Sequence, residues 1–440
     1  ETPALCMNPL ARWLLLATPA LSGAALRLLR PTGVNAPHTP HRHLVPYLKF
    51  NTPSSSDKRP GFDEAPAASD SRVVAEEIKA LRRQLKWVRC LQQKKLPDHS
   101  KRIGDPGNQP SFGRLFTHAT WKYYLGENTV GRWARAVRFW HMSSVLRAVT
   151  PCVLLAFCWS LLVGVVLRHL GPIKVSSLPL SLQGTAIGLL LVFRTNGSYE
   201  RLAEARELWG RAVSLSREVT VGLATALRRP APSRYLQANI QTIVRVSSYM
   251  AAFGWELAAR LRDGGKSDGE VLRALLPAAK ADWVADQRSP PLALLGCVRR
   301  EIFDVFEEGR LPPHYHYKLE EDLRALNQVI SGCERLFSSP IPPTMSRHVI
   351  RCLLIWIFTL PVVLASVMAP VENAIWVALT AYIFVGIEEV GSQVEQPFQV
   401  LPIYQLSDLI QRSVEEAMLL VGETVPTNEG WVAQPGPVAG

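Results

Sequence analysis

The 440-residue chain carries 49 Lys and Arg against 37 Asp and Glu, a net charge of +12. That length allows two or three soluble domains, or one membrane domain with tails. The basic balance calls for nucleic acid, a membrane surface or anionic ligands. Nucleic acid is disfavoured, because no zinc-finger spacing or RNA-binding aromatic motif occurs and the basic residues are interleaved with Glu. The seven cysteines include no CxxC pair and several lie in apolar runs, so neither a disulfide framework nor a zinc site is expected. They read as small buried hydrophobes.

Residues 1–56 contain no acidic residue after Glu1, while Arg12, Arg27, Arg30, Arg42 and Lys49 are spread among Ala, Leu, Ser, Thr and Pro. This composition predicts an organelle transit peptide. His38, His41 and His43 cluster there without the setting of a metal site. Residues 57–130 read as a polar linker with one amphipathic surface helix, Arg72 to Lys95, in which Val73, Ile78, Leu81, Leu85 and Val88 fall near helical spacing. Residues 131–420 then form the main domain, and 421–440 a disordered Gly/Pro-rich tail.

Within the main domain, Ala148–Leu167 is free of charge and long enough to span a bilayer. Val175–Phe193 is a second such run, with Pro179 suited to a helix start. From Arg194 the chain becomes rich in Arg and Glu without a break signal, so an apolar helix is expected to continue unbroken into a charged one. Tyr235–Leu261 carries Arg245 and Glu256 and reads as a buried or half-buried helix rather than a span. Further helices are expected over Val271–Asp282 and Leu292–Glu308, flanking Pro290-Pro291, and over Glu320–Phe337. Cys352–Val371 and Asn373–Ile387 form a second apolar pair, with Pro370 supporting a break and Glu372 placed at the turn. A last helix runs about Gln405–Leu420. The topology is four spans in two hairpins with both ends on one side. Arg132 to Arg147, Arg194 onward, Arg347 and Arg351 all fall on that side, as the positive-inside tendency requires.

Three separated stretches resemble the bestrophin-like anion channel family in its plant and bacterial branch. They are LLLVFRTNGSYERLAEARELWG (Leu189–Gly210), CERLFSSPIPPTMSRHVIR (Cys333–Arg351) and GIEEVGSQVEQPF (Gly386–Phe398). The order and spacing match over roughly residues 130–415. The resemblance implies an all-α homopentamer, with the second span of each subunit lining one central pore and chloride or other small monovalent anions as the cargo. Plant members are voltage-dependent chloride channels of the thylakoid membrane, which agrees with the transit-like leader. Algal relatives are linked to bicarbonate, and nothing in these residues separates the two anions. The resemblance implies no cofactor and no enzymatic activity. Animal members hold calcium in an acidic cluster after the Pro-Phe. Here that position reads Gln399-Val400-Leu401-Pro402, which lacks the oxygen-bearing side chains a hard cation needs.

Thr185, Leu189 and Phe193 recur every fourth residue, so they share one helix face. Such stripes most often pack against lipid or another helix; the resemblance assigns this one to the pore neck. Gly184 and Gly188 form a GxxxG whose simplest role is close helix packing. Arg194 and Asn196 are placed at the pore mouth, where an arginine would concentrate anions. For Arg201 a salt bridge to Glu200, Glu204 or Glu218 is the simpler expectation. Glu388, Glu389 and Glu395 could suggest paired carboxylates of an enzyme. Without His at ligand spacing or a nucleophile motif, they are expected to bond to the Arg-rich helices instead. Pro291 and Leu292 align with the family's lower constriction. A secondary transporter and a non-conducting membrane scaffold are the rival readings; no internal repeat supports the first.

Overall fold

The computed structural model describes residues 68–93, 95–96, 115–126, 128–171, 175–227, 233–262 and 264–422. Among these every regular element is helical: α1 (Ala68–Leu91), α2 (His118–Gly126), α3 (Thr129–Arg138), a 3₁₀ turn (Trp140–Met142), α4 (Ser144–Leu170), α5 (Leu178–Leu227), α6 (Ser233–Arg262), α7 (Gly269–Leu275), α8 (Ala278–Ala285), α9 (Pro290–Glu307), α10 (Pro313–Ser338), α11 (Pro343–Leu364), α12 (Pro370–Glu395), α13 (Pro397–Val400) and α14 (Ile403–Gly422). The transit-peptide reading falls outside the described residues. So does the tail, apart from positions 421–422, which still belong to α14.

The helix starts follow from local chemistry. Pro290, Pro313, Pro343, Pro370 and Pro397 each open a helix, where the missing N–H has no bond to lose. Ser143 caps α4 by accepting from the Leu146 N–H at 3.3 Å, and Gly171 ends it at φ 94°. Among the described residues four helices are long and apolar enough to cross a membrane: α4, α5 in its apolar part, α11 and α12. The second hairpin turns at residues 365–369, so Glu372 lies in the first turn of α12 and not at the bend. A carboxylate is favoured there by the helix dipole. The side-chain amide of Asn373 donates to the Pro361 carbonyl at 2.9 Å and closes the hairpin. Gly164 meets Pro370 so closely that a Cβ would come within 2.9 Å of the proline Cα, which fixes the two hairpins against each other.

Two hydrophobic cores result. The membrane bundle is held by Ala156, Ile187, Leu191, Val349, Leu353, Trp356, Ile357, Val377 and Ala381. A larger core joins α1, the charged half of α5, α6, α9, α10 and α14, with Trp209, Phe253, Leu272, Leu294 and Leu326 fully buried. The amphipathic helix lies with its apolar face on this core and its other face exposed, as at Arg83, Lys86 and Trp87. Leu81, Leu85 and Val88 of α1 are buried within this core, and Gln411 of α14 donates to the Leu85 carbonyl at 2.6 Å. Arg89 adds an ion pair to Asp408 at 2.8 Å. The apolar spacing is visible in the sequence, but the depth of the groove receiving it is not. Leu85→Ala is expected to cost about 2–5 kcal/mol, the usual result of emptying a filled core site. Thermal melting of the purified protein checks this.

Glu256 of α6 is also buried, its Oε1 accepting the Asp268 N–H at 3.1 Å. Burial pushes its carboxyl from an ordinary value of 4.5 up to about 7; Asp268 adds to the rise, while hydrogen bonds and Lys95 oppose it. A folded-state value above the unfolded one makes the neutral acid the favoured folded form. Its contribution is therefore complete below the unfolded value and is lost as pH rises through about 7. Glu256→Gln should accordingly melt higher than the parent at about pH 8.5 and close to it at about pH 4.5, by linkage. Thermal melts across that range read the crossover.

Candidate ion pathway

The sequence Leu178–Leu227 contains no proline beyond its first turn, and its 50 residues form one continuous helix. At 1.5 Å per residue it is about 75 Å long, far more than the ~30 Å hydrocarbon layer, so over half of it lies beyond the apolar layer. The apolar-to-charged transition at Arg194 is crossed without interruption, and Asn196 and Gly197 neither cap nor end the helix.

The two sides of α5 differ. Ile187, Leu191, Arg194 and Ser198 are buried against the rest of the chain. Thr185, Leu189, Phe193 and Asn196 point the opposite way and are exposed, Leu189 by 57% and Phe193 by 58%. The Thr185 hydroxyl donates to the Ser181 carbonyl at 3.1 Å, so its polarity is spent on the helix's own backbone. The two glycines part company. A Cβ at Gly184 would come within 3.0 Å of the Trp356 ring, and the Trp356 indole donates to the Leu180 carbonyl at 2.9 Å. A Cβ at Gly188 would meet nothing within 4 Å, so among the described residues the expected packing at that position does not occur.

Arg194 requires the main correction. The sequence places it at the pore mouth as an attractor of anions. Its side chain is instead 3% exposed, bonded to the Glu388 carboxylate of α12 and 3.6 Å from that of Glu395. Facing inward, its charge is taken up by two carboxylates. Glu388 and Glu395 thus do bond to the Arg-bearing helix, while Glu389 accepts from Gln393 at 2.8 Å. One turn on, a Cβ at Gly391 would lie 3.1 Å from the Thr195 methyl, so this glycine lets α12 come close to α5 beside the clamp.

Arg201 also departs from expectation. It donates to the carbonyls of Leu336 at 2.6 Å, Ser339 at 2.8 Å and Glu395 at 3.3 Å. These are carbonyls at the ends of α10 and α12, where helices leave acceptors unfilled and favour a cation. Glu204 pairs with Arg335 instead. Pro291 is buried in the first turn of α9, so of the pair only Leu292, 49% exposed, can face a passage. Leu292 borders an open groove of about 1120 Å³ with Trp283, Arg288 and Arg300. After the Pro-Phe, Arg262 donates to the carbonyls of Gln399 and Leu401, each at 2.9 Å. No cluster of three His, Cys, Asp or Glu able to hold a metal occurs among the described residues.

Arg194→Gln strands two carboxylates, and removing one partner of a buried pair costs about 3–5 kcal/mol. A large fall in melting temperature is expected, with partial recovery in Arg194→Gln/Glu388→Gln. Strictly additive losses in that cycle would show that the groups do not couple.

A family model described as Bacterial/Fungal Bestrophin protein matches residues 126–416. A voltage-dependent anion channel-forming protein of Ralstonia nicotianae is 31% identical over 297 residues, covering 66% of this chain and 92% of the relative. The chloroplastic voltage-dependent chloride channel 1 of Arabidopsis thaliana is 28% identical over 257 residues, covering 56% of this chain and 57% of the relative. A crystal structure of a bacterial bestrophin homologue from Klebsiella pneumoniae superposes with a TM-score of 0.55 at 26% identity, covering 60% of this chain and 97% of that one. With its four membrane-length helices and a family match over most of its length, the chain belongs to the bestrophin family.

Proposed function

We propose that this protein is a passive anion channel, in which five copies surround one central pore lined by α5 and conduct chloride across a chloroplast membrane, the thylakoid. Its role there is to balance charge during proton movement. The observation that carries the reading is the exposed stripe Thr185–Leu189–Phe193–Asn196 on the side of α5 that the chain leaves uncovered. Exposed apolar residues on α4 and α12, such as Leu154, Leu162, Ile375 and Leu379, supply a lipid-facing surface of their own. The names of the Ralstonia and Arabidopsis relatives support anion conduction, and the latter supports the chloroplast.

The chemistry of the stripe suits a weakly binding neck. Between Thr185 and Glu200 the only cationic side chain is Arg194, and it faces inward. Selection for anions therefore falls to the positive edges of the five Phe193 rings. A neck that binds weakly lets the ion leave. Asn196 offers an amide one turn further along. Leu292 is the candidate for a second constriction. Calcium has no part in this reading: the Gln399 and Leu401 carbonyls already accept from a guanidinium, which opposes a divalent cation at the same oxygens.

Leu189→Ala/Phe193→Ala should keep the subunit's fold, because Gly184 and the inward face of α5 are untouched. In planar bilayers its unitary conductance should rise severalfold and its gating should weaken. An assembled double variant with parental conductance and gating would refute the neck. Absence of unitary current steps from the parent protein would refute the channel, and bi-ionic reversal potentials decide between chloride and bicarbonate.

A further inference from the structure

The segment before the first span is not explained by a pore. In α2, α3 and the 3₁₀ turn no residue is buried. This surface is nonetheless rich in large apolar groups: Trp121 is 49% exposed, Trp133 73%, Val130 80% and Val137 65%. On α3, Val130, Trp133 and Val137 lie along one side, and Arg132, Arg135 and Arg138 lie on the other. Phe116, Trp121 and Tyr124 form an aromatic cluster with ring centroids 4.8–6.2 Å apart. Between Glu127 and Glu200 the sequence contains no acidic residue at all.

The segment is tied to the rest of the chain at both ends: the Leu115 N–H donates to the Gln405 side chain of α14 at 2.5 Å, and beside the first span Trp140 meets α12. The Trp140 indole donates to the Tyr382 hydroxyl of α12 at 3.0 Å, and the rings are 5.8 Å apart. Tyr382 lies six residues before Glu388, about 9 Å along the helix axis toward the apolar layer. Glu388 and Arg194 mark the charged border of that layer. Trp140 and the adjoining helix are therefore held at the boundary between headgroups and acyl chains, where amphipathic helices sit about 5–10 Å deep and where Trp and Tyr concentrate. A groove of about 620 Å³ opens there, lined by Tyr124, Arg132, Trp133, Arg135, Trp140 and Tyr382 among others.

We infer that α2 and α3 lie in the membrane surface and that this groove holds the headgroup of an anionic lipid, its phosphate or sulfate beside Arg132 and Arg135 and its acyl chains along Trp133 and Val137. The charge of the segment selects an anionic headgroup. Its position directly before the first span, with α3 ending at Arg138 and the span starting at Ser144, makes the bilayer the source. The site requires only that the bundle stand in a membrane, so it is independent of conduction through the neck.

Native mass spectrometry of the full chain, purified and loaded with equal phosphatidylglycerol and phosphatidylcholine, tests this. Phosphatidylglycerol should be retained preferentially, and raising salt from about 50 to 500 mM during loading should erode the preference as screening shortens. Arg132→Gln/Arg135→Gln/Arg138→Gln should lose retention by on the order of tenfold or more, as expected for three basic groups at a charged surface. The salt series on the parent protein stands even if that variant does not assemble. Equal retention of both lipids, or preference unaffected by salt, would overturn the inference. Displacement of the lipid by millimolar inorganic phosphate would make it a free-anion site instead and overturn the lipid source. A variant with altered oligomeric state but unchanged lipid retention would give the surface to a neighbouring protein chain and likewise overturn it.

Discussion

The bond between Arg194 and the carboxylates of Glu388 and Glu395 joins α5 to α12 at the level where both leave the apolar layer. A guanidinium with little exposure costs several kcal/mol to desolvate, so it persists only where oppositely charged groups meet it. Arginine's planar fork suits two acceptors better than a lysine ammonium would. Holding Arg194 inward also fixes the rotation of α5 about its axis. With Arg194 and Ile187 facing the bundle, Leu189 and Phe193 must face away. The orientation of the proposed neck is thus a by-product of an ion pair on the other side of the same helix.

Gly184 and Gly391 act with this clamp. One admits the Trp356 ring and the other the Thr195 methyl, so α5 is pinned by close contact above and below the charge. Outside the membrane, Arg201 ties the same helix to the ends of α10 and α12 through three carbonyls. A polar and a steric constraint therefore alternate along one face of α5, and the opposite face carries none of them.

What can be read from the sequence is what is local in it. The uncharged runs Ala148–Leu167 and Val175–Phe193 lie inside α4 and α5 and state their length directly, whereas Cys352–Val371 straddles the turn at 365–369, because α11 starts earlier, at Pro343, takes in Arg347 and Arg351 and ends at Leu364. The absence of a break between Phe193 and Trp209 foretells the continuous helix, and Pro370 foretells the hairpin. Facts that depend on distant partners are hidden. Glu388 lies 194 residues from Arg194, and nothing near either residue announces the pairing. Charge pattern instead favours a solvent-facing arginine. Arg201 misleads for a related reason: its acceptors are backbone carbonyls at helix ends, which no side-chain pattern encodes. The helical spacing of α1 is legible, whereas the identity of the helices that cover its apolar face, α14 among them, requires the fold. Gly188 shows the converse, a motif whose second member has no side-chain neighbour among the described residues.

The unbroken length of α5 has a mechanical consequence. A helix bends sharply at proline, at a Gly/Ser pair or at a bulge; α5 has no proline after its first turn and stays one helix through Gly197-Ser198. The Arg194 clamp holds it to α12 where both leave the apolar layer. The arm outside the apolar layer is the longer one, and it is gripped by α10 and α14. A small rotation imposed on that arm reaches Phe193 and Leu189 without passing through a flexible joint. Strain introduced in the outer core therefore has a path to the proposed neck along a single helix, and the stiffness of that helix sets how much of it arrives.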